Sequence, residues 1–339
     1  MKPLIIPIFI SHSGCPHRCI FCDQEKITSQ SVRAVGSDYV REVLEKAISS
    51  KRFDARRNPE VAFYGGTFTG LPKERMKELL EAVAPYIRDR LISSIRVSTR
   101  PDFIDEESLK IMQAFHVSTV ELGVQSLDGD VLLMARRGHT ARDVIRAVQI
   151  LKRSGFKVGI QLMPGLPGDS EETFRATIEK VIGLNPDMVR LYPALVIEGT
   201  GLARMYAEGS YRPLTIEEGV NLCVDGVTRL ETNGIPVIRI GLMSSPSLVE
   251  GRRIVSGPWH PSFGFLVRSA IHQKAIEPDL PAPGTAKRIK IFAPEREIPL
   301  VRGYKNRGIR IIEEKTGSEV LGIMVDDTLP EGKVRFEKR

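Results

Sequence analysis

The chain has 339 residues and is 42% hydrophobic, enough for roughly two domains or one large α/β domain with an appendage. Lys and Arg number 49 against 42 Asp and Glu, a formal charge of +7 that favours an anionic partner such as RNA or a phosphorylated metabolite. Four cysteines are too few for a disulfide-stapled secreted scaffold, no apolar run approaches the ~20 residues of a bilayer span, and no signal-peptide cleavage pattern follows the N-terminus; a cytoplasmic protein without a membrane partner is expected.

An apolar run opens the chain and predicts a strand over 5–11. Directly after it comes SHSGCPHRCIFCDQ, which places Cys15, Cys19 and Cys22 on one short polar loop. Three thiolates so gathered can hold three irons of a [4Fe–4S] cubane and leave the fourth open to a substrate or cofactor. Two plainer readings stand beside this one. His12 or His17 could complete a Cys3His zinc site, although structural zinc usually takes two ligand pairs from separate segments. The thiols could also be inert.

Beyond the loop, short β-rich runs alternate with stretches of helical period. Strands are expected at 61–64, 94–99, 119–123, 157–163 and 188–192, and helices at 38–49, 73–90, 106–115, 140–154 and 170–184. Asp105 and Thr140 stand where helix N-caps belong. Six βα units in about 190 residues fit an open doubly wound sheet or an incomplete α/β barrel, whose sites gather at the C-terminal strand ends. The candidate residues fall there. Tyr64-Gly65-Gly66-Thr67 follows the second strand, where two glycines allow close backbone approach or simply form a turn. Glu121 and Gln125 end the fourth strand and offer acceptors for a ribose or amine. Arg136 and Arg137 could pair a carboxylate or form ordinary salt bridges. Gln161 leads into a Pro-Gly-rich loop through Leu166 to Asp169, suited to a flat ring or to a rigid turn.

After Pro193 the pattern changes. Helices are expected at 215–232 and 262–275, a strand at 235–240, and a Pro/Gly-rich linker at 277–287. The runs RIKIFA, RGIRIIEEK and EVLGIMV then suggest a small β appendage. Positive charge concentrates in this tail, at Lys287, Arg288, Lys290, Arg302, Lys305, Arg307 and Arg310. A single Trp and 6% aromatic residues argue against an extended base-stacking surface. Cys223, in the apolar run VNLCVDGV, reads as a buried small hydrophobe. Tyr64, Arg239 and His260 could face a substrate or serve the core or surface.

Together, Cys-x3-Cys-x2-Cys with Phe21 before its last thiol, the Gly-Gly loop, Glu121, Gln125, Arg137 and the Gly-Leu-Pro-Gly loop resemble the radical S-adenosylmethionine (SAM) superfamily. The resemblance covers roughly residues 5–200. It implies a partial (βα)6 barrel at 1–200, a C-terminal α/β extension at 201–285 and a basic β-rich appendage at 286–339. It also implies an enzyme in which the reduced [4Fe–4S] cluster cleaves SAM to a 5′-deoxyadenosyl radical that takes hydrogen from a substrate. By position, Cys15, Cys19 and Cys22 would ligate iron, and Gly65, Gly66 and Thr67 would contact the methionine end. Arg137 would meet the carboxylate, Gln125 and Gln161 the ribose, and Leu166 and Tyr192 would neighbour the adenosine. Related porphyrinogen oxidases carry Asp where this chain has Gln161. A flavodoxin or ferredoxin is the expected reductant.

The phrases FYGGTFTGLP, STRPD, ELGVQS, RRGHT and MPGLPGD are similar to the Elongator catalytic-subunit branch, which modifies wobble uridine in tRNA. RNA, and tRNA in particular, is therefore the expected substrate. About fifty residues follow 285, too few for that branch's acetyltransferase domain, so acetyl-CoA chemistry is not expected. A porphyrinogen-oxidase-like metabolite enzyme and a non-enzymatic RNA-binding protein with a structural cluster are the alternatives.

Overall fold

The computed structural model describes residues 3–28, 35–242 and 253–339, and its architecture follows from a two-residue alternation along parallel strands. One sheet takes its strands in chain order: β1 (Ile5–Phe9), β2 (Glu60–Tyr64), β3 (Ser94–Thr99), β4 (Val117–Gln125), β5 (Lys157–Leu162), β6 (Met188–Leu191) and, past the short β7 (Val196–Ile197), β8 (Val237–Ile240). Ile6 and Ile8, Val61 and Phe63, Ile95 and Val97, Leu122 and Val124, Val158 and Ile160, and Val189 and Leu191 share one buried core with the surrounding helices. Their neighbours Glu60, Tyr64, Arg96, Glu121, Gln161 and Arg190 carry polar groups to the opposite face, as strand geometry requires. A parallel sheet covered by helices on both faces would read as continuous apolar runs. Here one face is wet or polar.

That polar face is concave. In a flat sheet β2 and β6, four spacings apart, would stand about 19 Å from each other. Instead, the Arg190 guanidinium on β6 hydrogen-bonds the Tyr64 hydroxyl on β2 and lies 4.9 Å from its ring centroid. The sheet therefore curls into a half-barrel, open between β1 and β8.

A chain of buried charges crosses the curl. The Glu121 carboxylate on β4 accepts from Arg96 at 2.6 Å and from Arg190 at 2.8 Å, and Arg96 reaches Glu60 on β2 at 2.6 Å. Burial works against the Arg190 charge, but Tyr192, Glu121 and Tyr64 outweigh it and hold the guanidinium charged. Burial, then the Glu121 carboxylate, pushes the Tyr64 phenol upward, so it stays a neutral donor.

The strands expected for this sheet are all present, with ends within two residues of those read from the sequence. Helix starts also follow their caps. The Asp105 side chain accepts from the Ser108 amide, and Thr140 forms a reciprocal capping box with Asp143. The sheet has a seventh strand, β8, and Val237, Phe263 and Val267 belong to the main core. Two expectations need correction. The helix expected over 73–90 is two, Lys73–Glu81 and Ala84–Arg88, because Pro85 lacks an amide and its ring would meet the carbonyl four residues back. RGIRIIEEK is helix, not strand: within Arg307–Thr316, Gly308, Ile312 and Thr316 are buried at spacings of four.

The tail is thus a mixed appendage. Its sheet has β10 (Arg288–Ala293) between β11 (Glu319–Val325) and β12 (Arg335–Lys338), and it follows a small ribbon of β7 with β9 (Ile254–Ser256). Ile289, Ile291, Val301 and Ile312 form a separate core with Ile276 of the helix Phe263–Ile276. The Ser269 hydroxyl and Gln273 amide bind the Leu300 and Val301 carbonyls at 2.8 Å, which seats the appendage on that helix. Among the described residues no helix is long and apolar enough to cross a membrane.

Replacing Glu121 with Ala would strand the buried Arg190 guanidinium and leave Arg96 with Glu60 as its one carboxylate partner. The expected cost is about 3–5 kcal/mol, the usual penalty for breaking a buried ion pair from one side. A urea-unfolding midpoint unchanged from wild type would show that the lumen network does not hold the curl.

Candidate active site

The cysteine loop leaves the C-terminal end of β1 and is pressed onto the turn that leaves β2. Gly14 has φ +72°, and a Cβ there would stand 2.2 Å from the Thr67 carbonyl. A Cβ on Gly66 would stand 2.5 Å from the Ser13 carbonyl and 2.7 Å from that of Ile10. Only glycines allow two backbones this close. The contact is hydrogen-bonded as well: the His12 amide donates to the Gly65 carbonyl at 2.8 Å and the Thr67 amide to that of Ser13 at 2.9 Å. Cys15 Sγ lies 3.2 Å from Thr67 Oγ1. His12 and Gln24 clamp the loop ends, each backbone amide donating to the other's side chain.

Cys15, Cys19 and Cys22 are half-buried. Burial pushes the Cys22 thiol up to about 12, and the neighbouring Cys19 and Cys15 add to the shift while Arg137 opposes it. Three thiolates within reach of one another are thus costly unless a cation compensates them. An all-sulfur donor set on one loop suits an iron–sulfur cluster.

Arg137 lies beside these thiols. Its Nη1 is 2.9 Å from Cys19 Sγ, its Nη2 meets the Gly123 carbonyl, and its Nε is buried with no partner among the described residues. A buried donor of this kind marks room for an acceptor the protein does not supply. Gln125, with φ +74°, turns in close by, and Gln161 Nε2 donates to its Oε1 at 3.2 Å. A Cβ on Gly123 would touch both the Gln125 amide and Arg137, so glycine makes space for the two to converge.

The remaining expected residues sit around this group. Leu166 is buried with Ile20, Phe21, Val196 and Leu202, directly behind the cysteine loop. The Asp169 carboxylate accepts from the Gly165 amide at 2.9 Å and the Tyr211 hydroxyl donates to the Gly165 carbonyl at 2.6 Å, fixing the Gly-Leu-Pro-Gly loop. Tyr192 meets Arg190 at 3.1 Å within the lumen network. Glu121 differs from expectation: its carboxylate is committed to Arg96 and Arg190 rather than held out for a ribose or amine. Sequence reasoning passed over Arg96 and Arg190. Their signal was a lone Arg inside an apolar strand, in SIRVST and MVRL. Arg239 stands opposite Arg190 on β8, and His260 packs edge-on against Tyr304. Cys223 is fully buried in the core, as expected.

Residues 9–181, just over half of the chain, match the family described as the Radical SAM superfamily, and residues 186–273 match the Radical_SAM C-terminal domain. The chain belongs to the radical SAM superfamily. The cofactors of this family are a [4Fe–4S] cluster and SAM, and the sulfur donor set and the orphaned Arg137 donor fit them. The chain is 29% identical over 255 residues to a tRNA uridine(34) acetyltransferase of Methanocaldococcus infernus, a match covering 64% of this chain and 48% of that protein. Human Elongator complex protein 3 is 32% identical over 184 residues, covering 48% and 34%. The chain thus spans about half the length of the acetyltransferases it matches. An uncharacterized protein of Methanocaldococcus jannaschii, 28% identical, matches over 75% of this chain and 79% of its own length. Among solved structures, the archaeal M. infernus Elp3 with an N-terminal deletion superimposes with a TM-score of 0.60 at 25% identity, covering 81% of this chain and 64% of that one.

Gly66→Ala would force the β2 turn off the cysteine loop. Anaerobically reconstituted protein should then lose most of its iron and acid-labile sulfide, whereas Gly36→Ala, whose Cβ meets nothing within 4 Å, should keep both. Equal cluster content in the two variants would show that the close approach does not shape the site.

Proposed function

We propose that this protein uses radical SAM chemistry to modify RNA, with tRNA as its substrate. The likeness to archaeal tRNA uridine(34) acetyltransferase in sequence, together with the 0.60 TM-score to archaeal Elp3 over most of the chain, carries this reading. The basic balance of the chain supports an anionic partner. When bound, the cluster and SAM supply one-electron chemistry able to open an unactivated C–H bond.

The chain's own residues bind and orient these groups. Cys15, Cys19 and Cys22 take three irons, and the turn at Gly65, Gly66 and Thr67 faces the methionine end of SAM. Arg137 keeps Nε for the SAM carboxylate, while its other nitrogens are anchored on Cys19 and Gly123. Gln125 and Gln161 position the ribose hydroxyls. Leu166 backs the adenosine side, and Tyr192 borders it from the end of β6. The Arg190–Glu121–Arg96 network closes the floor of the half-barrel beneath them and limits entry of water from below. A flavodoxin or ferredoxin delivers the electron.

Two measurements test this. Nucleoside mass spectrometry of tRNA from cells with and without the gene should show loss of one modified nucleoside; an unchanged profile would turn the reading toward a small-metabolite substrate. Arg137→Leu should raise the KM for SAM about tenfold or more in dithionite-driven 5′-deoxyadenosine release, as removal of a charged hydrogen bond does. An unchanged KM would remove Arg137 from SAM recognition.

A further inference from the structure

We propose that residues 302–310 of the appendage, with His260, form an edge that grips an RNA strand beside the opening of the half-barrel. This rests on the RNA reading above and says where the RNA is held.

The edge lies next to the site. Trp259 and Ile27, which follows the last cysteine by five residues, both pack against Leu195 and Ile197 just beyond β6. His260 follows Trp259, and its ring centroid is 4.7 Å from that of Tyr304 at an interplanar angle of 83°. Appendage and cysteine loop are therefore joined through a short run of packed side chains.

Charge collects on this edge without being neutralised. Arg302, Lys305, Arg307 and Arg310 are all exposed. Arg307 approaches Glu217 only to 3.8 Å, between side chains 65% and 73% exposed, a pairing of little worth in water. Among the described residues no carboxylate stands within salt-bridge distance of Arg302, Lys305 or Arg310. Elsewhere in the appendage most cations are matched, as in Arg288–Glu319, Arg296–Glu331 and Lys315–Glu277, and the exceptions Lys287, Lys290 and Lys338 are scattered. Unpaired cations thus concentrate on this edge.

The turn also displays an aromatic ring. Tyr304 is 40% exposed, and Lys305 Nζ lies 5.6 Å from its ring centroid. The display is held by the backbone: a Cβ on Gly303 would stand 2.6 Å from the Gly308 amide, and one on Gly308 would stand 2.2 Å from the Val301 carbonyl. Between these glycines Lys305 and Asn306 adopt φ +50° and +62°, which turns the chain outward. Cations at this density contact phosphates, and an exposed ring among them stacks an unpaired base. An acidic protein surface would be matched by the charges alone and gives the ring no role.

The test uses the full chain, reconstituted, with an unmodified tRNA transcript as probe. Wild type should bind with steep salt dependence. Arg302→Ala, Lys305→Ala and Arg307→Ala combined should lower the slope of log K against log salt by about 2–3, at roughly 0.7–0.9 for each phosphate no longer neutralised. Tyr304→Ala should weaken binding about tenfold and Tyr304→Phe should restore it, as for a stacked base. Iron content and unfolding midpoint establish that each variant is folded. If wild type fails to bind tRNA, the RNA reading itself falls. If wild type binds and the variants match it in affinity and slope, the edge is not the grip. If the variants keep tRNA but lose cluster reduction by flavodoxin, the surface belongs to the reductant and the proposal is overturned.

Discussion

Backbone pressed against backbone, where the cysteine loop meets the turn after β2, is the constraint on which the site depends. The carbonyls of Ser13 and Ile10 lie where a Cβ on Gly66 would be, and the Thr67 carbonyl lies where one on Gly14 would be. With both gaps closed, the loop has no freedom to slide along the strand ends. The thiols are consequently held by main-chain geometry that side-chain rotamers do not disturb. Leu166, Ile20 and Phe21 back the loop from the apolar side, and Arg137 faces it from the polar side. This division places a desolvated wall behind the sulfurs and a fixed cation in front of them. Both lower the freedom of a charged ligand set that is expensive to assemble.

A second constraint acts at right angles to the first. The curl of the sheet brings β2, β4 and β6 close enough for Tyr64, Glu121 and Arg190 to meet, and the ion pairs then hold the curl. Two arginines share one carboxylate on β4, with Glu60 completing the set, so the lumen floor is polar yet internally matched. Ligand groups entering from the strand ends meet a wall whose charges are already paired with one another. Above it, the Arg137 Nε is buried without a partner among the described residues, and the two glutamines lie beside it.

How much of this was legible in the sequence depended on the distance between partners. The cysteine loop is local, three thiols in eight residues, and its chemistry could be read directly. The strands were legible too, since each needs only its own alternation. The lumen network was not: Arg190 and Tyr64 are 126 residues apart, and nothing local to either names the other. Glu121 was seen as a polar residue at a strand end but given a ligand to bind, because its two arginines lie 25 and 69 residues away. The helix Arg307–Thr316 misled for a different reason. Its stretch R-G-I-R-I-I begins as an alternation, and only the later spacing of Ile312 and Thr316 shows the helical period.

The appendage shows why charge has to be located before it is interpreted. A formal +7 spread evenly over 339 residues would say little about a partner. Folding sorts that charge into matched pairs on most of the appendage and an unmatched edge at one turn, beside a ring that solvent can reach. The same turn is attached through His260 and Trp259 to the elements that border the cysteine loop. An RNA strand lying on this edge would meet phosphate contacts outside the half-barrel, leaving one nucleotide to reach inward. Binding energy collected at such remote contacts can serve to place a reacting atom within the site, where the chemistry itself offers few handles.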